Sequence, residues 1–178
     1  MDILINIAVV LLSIFILLLG ITFLMGVLSA GPFIPTTGRA IEKFASLITL
    51  NKKSRVFDLG CGDGRLLRYI ERKYGVIGEG YEIAPLVYLW AKIYSKLVGS
   101  KVKIYCRDLF KADLSKADVI FLYLVPFVLK KLGKKMNAEC RKGTIIISEG
   151  FTLPNLKLKK HIPLNKKKGL PSFYIYEI

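Results

Sequence analysis

The chain has 178 residues, enough for one domain with a core of its own. It carries 28 Lys and Arg against 13 Asp and Glu, a formal net charge of +15, and 53% of its residues are hydrophobic. Three scattered cysteines with no C-x-x-C pair, and a single histidine, speak against a disulfide framework and against a zinc site, so no metal is expected.

From Ile3 to Leu28 there is no charged residue, and Asn6, Ser13 and Thr22 are the only strongly polar ones. A helix needs roughly 20 apolar residues to cross ~30 Å of hydrocarbon. Residues 1–30 are therefore expected to form a single transmembrane anchor, and the opening "MDIL" lacks the basic stretch of a cleaved signal peptide. Asp2 is the one charged side chain before the span, whereas Arg39, Lys43, Lys52, Lys53 and Arg55 follow it. Lys and Arg collect on the cytoplasmic side, which places the domain there. All Lys and Arg lie beyond residue 30. Such a surface suits the anionic leaflet, an acidic protein face or nucleic acid, although no dedicated nucleic-acid module is present.

Next comes "SAGPFIPTTGRA", a link punctuated by glycine and proline. Ile41, Phe44, Ala45 and Ile48 then recur at the spacing of a short amphipathic helix. Residues 31–50 read as linker and lid helix, and residues 51–178 as the main domain. "RVFDL" is a short apolar strand running into the glycine loop of "VFDLGCGDGR". A helix starts near Gly64, with Leu66, Leu67, Ile70 and Tyr74 on one side. "GVIGEGYEI" reads as a second strand. Pro85 suits a first helical turn, ahead of Leu86, Leu89, Trp90, Ile93 and Leu97 at helical spacing. "KVKIYC" and "ADVIFLYL" are further strands, Leu129, Leu132 and Met136 mark a helix, and "GTIIIS" is a fifth strand. "LKLKKHIPL" and "SFYIYEI" around a basic turn suggest a terminal hairpin. The fold class is α/β, a mostly parallel, Rossmann-like sheet closed at one edge by an antiparallel hairpin.

Ligands of such sheets bind beyond the carboxyl ends of the strands, where Gly60, Gly62 and Gly64 should lie. The spacing is G-x-G-x-G rather than the dinucleotide G-x-G-x-x-G, and Asp58 sits just before it. A carboxylate there repels a pyrophosphate and favours a cationic ligand. Glu82 ends the second strand, where a carboxylate accepts the hydroxyls of a ribose, and Asp108 ends the third, where an adenine edge would lie. Ribose, adenine and an ammonium beside a sulfonium together describe S-adenosylmethionine.

"DLGCGDG", "GYE" and "RDLF" resemble the successive signatures of class I S-adenosylmethionine-dependent methyltransferases, a seven-stranded fold. That resemblance implies that Asp58, Gly60, Cys61 and Gly62 hold the methionine end of the cofactor. It implies also that Glu82 and Ile83 hold the ribose, and Asp108 and Leu109 the adenine. Asp63 reads instead as a cap of the next helix. Over residues 15 to 155, the span, "PFIPTTGRAIEKF", "DLGCGDGR", "GYEIAP" and "FLYLVP" are similar to the membrane-anchored protein-lysine methyltransferases that modify adenine nucleotide translocase and the ATP synthase c-subunit. The similarity implies a lid containing Phe33, Pro35 and Thr36 and an acceptor region near Pro126 and Phe151. In "FTLPN" this chain has Asn155 where an aromatic residue is expected.

A lysine acceptor reacts as the free amine, which an aromatic side chain can hold, and Tyr123 at the end of the fourth strand is the candidate. Leu124-Val125-Pro126 stands where methyltransferases of planar amines carry an Asn-Pro-Pro-Tyr-type loop, so a nucleobase or amide is a poorer fit. The reading is an N-methyltransferase acting on a lysine of a membrane or membrane-associated protein. An RNA, lipid or small-molecule methyltransferase and a non-catalytic cofactor-binding module are the alternatives.

Overall fold

The computed structural model of the chain describes residues 2–29 and 34–178. Helix α1 (Asp2–Ser29) is the apolar segment, and its stretch Ile3–Gly26 is long and apolar enough to cross a membrane. Most of its described side chains are exposed, Leu17 to 63% and Phe23 to 72%. Helix α2 (Gly38–Ser46) begins at Thr37, whose hydroxyl accepts the Ala40 N–H at 3.3 Å. It is more than a connector: Ala40, Ile41, Phe44 and Ala45 are buried in the domain core, and Phe44 meets Phe121 edge-on with ring centroids 4.6 Å apart.

The strands and helices alternate as β1 (Val56–Leu59), α3 (Arg65–Tyr74), β2 (Glu79–Glu82), α4 (Pro85–Leu97), β3 (Lys103–Cys106), β4 (Val119–Leu122), α5 (Pro126–Glu139) and β5 (Ile145–Glu149). Strands β6 (Leu158–Ile162) and β7 (Phe173–Glu177) follow as the hairpin. The seven-stranded sheet has the order β3-β2-β1-β4-β5-β7-β6. Strands β1 to β5 pair in parallel, and β7 lies antiparallel between β5 and β6. The chain therefore leaves β1 toward one edge and later returns to its other side with β4. That reversal opens a crevice at the carboxyl ends of β1 and β4.

Both faces of the centre are covered, which is why β1 and β4 read as continuous apolar runs. On one face Val56 and Phe121 pack with α2, α3 and Ala91 of α4; on the other Leu59, Ile120 and Leu122 pack with Val128, Leu129, Leu132 and Met136 of α5. Helix α4 meets the sheet with small residues, burying Ala91 and Ser95. Its large apolar residues turn away: Leu89, Trp90, Ile93 and Leu97 are 48%, 57%, 46% and 76% exposed.

Asn155 has φ 74, a left-handed conformation that asparagine tolerates and bulky aromatic residues resist. Its Nδ2 donates to the Lys130 carbonyl at 3.5 Å, so the residue shapes the turn that lays Pro154 on α5. Gly133 is the matching feature on the helix, because a Cβ there would stand 2.4 Å from the Pro154 carbonyl oxygen. Gly133→Ala is expected to destabilise the domain by about 1–3 kcal/mol through overpacking, although helix propensity alone favours alanine by ~1 kcal/mol. Thermal unfolding in detergent checks this; an unchanged or higher midpoint would mean that the Pro154 turn yields freely.

Candidate active site

Strand β1 ends in a tight loop because Gly60 adopts φ 85, and its N–H and that of Cys61 both donate to the Tyr81 carbonyl, at 2.8 and 3.1 Å. A Cβ at Gly60 would lie 2.9 Å from Leu124, so the loop needs glycine for its conformation and for its close approach to β4. Glu82, at the end of β2, straps this loop: Oε2 accepts the Gly62 N–H at 3.0 Å and Oε1 the Ala84 N–H at 2.8 Å. Each oxygen retains a further lone pair for a ligand hydroxyl. Asp63 is engaged nearby, accepting from the Arg65 N–H at 3.1 Å and pairing with the Arg65 guanidinium at 2.8 Å.

A cavity of about 600 Å³ opens beside the loop, within the ~300–1,000 Å³ of small-molecule sites. Asp58, Gly60, Cys61, Gly62, Glu82 and Ile83 line it together, joined by Pro35, Thr36, Tyr123 and Phe151. Asp108 and Leu109 line an adjoining narrow cleft with Arg107, and Gly60, Glu82 and Ile83 are common to both spaces. There Asp108 Oδ1 accepts the Phe110 N–H at 2.9 Å. Pro126 opens helix α5 instead and stands outside the cavity wall, where Leu124 and Val125 take its place. Phe33 falls outside the described residues.

The cavity wall carries three acids, Asp58, Asp63 and Glu82, and one cation, Arg65, which is paired with Asp63. Asp58 is 4% exposed, and its carboxyl is pushed well above the ordinary range, first by burial and then by Glu82, Asp63 and Glu149. Glu82 is raised by burial against the pull of its backbone N–H donors. Among the described residues neither acid meets a Lys or Arg in an ion pair. Buried carboxylates without a cation are costly, so the cavity favours a positively charged ligand.

Two contributors were not foreseen from the sequence. Glu149 ends β5 at 4% exposure; burial pushes its carboxyl up to about 7, the Thr36 hydroxyl pulls it down, and its Oε2 accepts no hydrogen bond among the described residues. Burial first, and then Glu149, raises the Tyr123 phenol, whose ring packs 3.7 Å from the position of a Cβ on Gly150. A lone acid at the end of an apolar strand, in "IIISEG", was the available signal. The second contributor is α1, which supplies Leu19, Thr22, Phe23 and Gly26 to the cavity wall. The Thr22 hydroxyl is buried there without a hydrogen-bond partner among the described residues.

Residues 58–160 match the family model of the ANTKMT methyltransferase domain. The chain belongs to this family. A protein-lysine N-methyltransferase of Saccharolobus islandicus is similar to this methyltransferase, 25% identical over 83% of this chain and 93% of the relative. The human lysine N-methyltransferase of the ATP synthase c-subunit is 30% identical over 70% of this chain and 53% of the relative, so the chain spans about half the length of that protein. Among solved structures, an RNA methyltransferase from Salinibacter ruber in complex with S-adenosyl-L-homocysteine superposes with a TM-score of 0.75. It is 30% identical, with 82% of this chain and 94% of that one covered.

The raised carboxyls have a consequence for stability. A carboxyl whose folded pKa exceeds its unfolded value binds its proton more tightly in the native state, so the associated stability is complete below the unfolded pKa and is lost as pH rises through the folded one. For Glu149 that window runs from 4.5 to about 7, and the loss is at most about 3 kcal/mol. Asp58 and Glu82 act with the same sign. Thermal midpoints of the cofactor-free protein should therefore fall with rising pH, and Glu149→Gln should flatten the fall. Parallel curves for parent and variant would contradict the burial of a titrating Glu149.

Proposed function

We propose that this methyltransferase uses S-adenosylmethionine to methylate a lysine side chain of a membrane or membrane-associated protein, and that α1 anchors it with the domain on the cytoplasmic side. The observation that carries the reading is the cavity in which the buried Asp58 and the half-buried Glu82 stand beside a glycine loop, neither of them in an ion pair among the described residues. A nucleoside that carries an ammonium and a sulfonium fits this set of acceptors. Asp58 with Gly60, Cys61 and Gly62 then faces the amino-acid end, Glu82 and Ile83 the ribose, and Asp108 and Leu109 the base in the adjoining cleft. The cofactor supplies a methyl group already activated as a sulfonium.

The chain's own residues position the acceptor and manage its proton. Tyr123 and Phe151 present aromatic walls to an amine entering the cavity. Glu149, raised to about 7 and close enough to raise Tyr123, is the carboxylate that draws an ammonium inward and takes up its proton. The acceptor assignment follows the lysine methyltransferases of Saccharolobus islandicus and human similar to this chain. The Salinibacter ruber structure, named as an RNA methyltransferase, favours the second reading, methylation of RNA by the basic surface.

Isotopically labelled cofactor incubated with the full-length enzyme and host membranes is expected to label one or a few proteins, with methyl-lysine released on acid hydrolysis. Label in RNA or lipid would transfer the activity to those substrates. Glu82→Ala is expected to weaken cofactor binding by roughly 1.5–3 kcal/mol, the value of hydrogen bonds to a charged group. Calorimetry showing unchanged affinity would remove Glu82 from the ribose site.

A further inference from the structure

The outward stripe of α4 is left exposed by the described residues. At ~100° per residue, Leu86, Leu89, Trp90, Ile93 and Leu97 fall on the side of the helix opposite the buried Ala91 and Ser95. Lys92 and Lys96 flank this stripe on one side, both exposed. Trp90 and Tyr94 stack with ring centroids 5.8 Å apart, and Tyr94 lies over the Arg68 guanidinium at 4.7 Å from its own ring centroid. Arg68 in turn donates to the Ser95 hydroxyl at 3.1 Å, so the stripe is carried on a rigid support.

Two observations say what covers it. Helix α1 packs against α4, so the stripe is continuous with a surface that itself calls for hydrocarbon. The second is length. Residues 3–18 of α1 take no part in the cavity wall, and at ~1.5 Å per residue they extend about 24 Å, short of the ~30 Å of a bilayer core. The remaining depth has to come from residues 19–26, of which Leu19, Thr22, Phe23 and Gly26 line the cavity beside Val87 of α4. A spanning α1 therefore brings the mouth of the cavity, and α4 with it, down to the headgroup level. A tryptophan, a tyrosine and flanking lysines on an apolar helix face are the chemistry of that layer.

We propose that α4 is a second membrane contact: its Leu89–Trp90–Ile93–Leu97 face lies in the boundary between acyl chains and anionic headgroups, with Lys92 and Lys96 reaching the phosphates, and it holds the mouth of the cavity at the membrane surface. The proposal rests on the reading of α1 as a membrane span. It selects acceptor lysines that lie at the interface, since a lysine far out in the cytoplasm would not reach a mouth pressed against lipid.

Trp90 is the single tryptophan of the chain, so its fluorescence reports this face alone. The full-length enzyme in nanodiscs of phosphatidylcholine and phosphatidylglycerol should show a blue-shifted emission. Acyl chains brominated near their glycerol end should remove the larger part of it, and aqueous iodide should remove little. A companion variant, Leu12→Trp in a Trp90→Phe background, monitors the middle of α1. If that probe is quenched by bromolipid while Trp90 is open to iodide, the anchor stands and the α4 contact is overturned. If Trp90 is shielded from both quenchers, a protein surface such as a second copy covers the stripe, and the proposal fails. If neither tryptophan is quenched by bromolipid, the membrane reading itself falls and takes the α4 contact with it.

Discussion

The site depends on two acids, the buried Asp58 and the half-buried Glu82, that meet no Lys or Arg in an ion pair among the described residues. Asp58 at the end of β1 and Glu82 at the end of β2 are drawn together by the parallel pairing of those strands, and both are raised by burial. A globular domain normally exposes or pairs its carboxylates, because an isolated buried charge costs several kcal/mol. Here that cost appears as raised carboxyl pKa values, so the acids hold their protons more tightly until a cation arrives. The same imbalance is what distinguishes the cavity from a phosphate-binding glycine loop, whose free N–H groups want an anion. In this protein one of those N–H groups, from Gly62, is already taken by Glu82.

The surrounding architecture serves that arrangement. The reversal of strand order at β1 and β4 opens the crevice, and the glycine loop lets the chain turn at its edge without filling it. Strand β4 brings Tyr123 to the same rim, and β5 buries Glu149 behind it. Asp58, Glu82 and Tyr123 from three strands thereby share one space, although they lie as far as 65 positions apart in the chain (58 to 123). The antiparallel hairpin covers the outer edge beyond β5 and leaves the crevice untouched.

The candidate membrane span and the site are joined. Helix α1 is both the candidate span and part of the cavity wall, so the position of the anchor and the geometry of the pocket are coupled. Tethering of this kind raises the effective concentration of a membrane acceptor.

Much of this was readable in the chain as written. Strand and helix order, the terminal hairpin, the apolar span and the cofactor loop all rest on local patterns: period, length and glycine spacing are properties of neighbouring residues. Asp58, Glu82 and Asp108 were recognisable as candidates because each lies at or near the end of a strand that the pattern marked. What the sequence could not express is facing. The stripe of α4 has the same period whether it meets the sheet or the outside, and only the packing of Ala91 and Ser95 on the core decides that Leu89, Trp90, Ile93 and Leu97 point away. Nor could it bring Glu149 beside Tyr123, or lay Thr22 over the pocket, since those meetings depend on strand register and on the docking of a helix far away in the chain. Composition and periodicity settle which elements form; tertiary packing alone decides which surfaces they turn toward one another, because a side chain's environment is set by its distant neighbours as much as by its near ones.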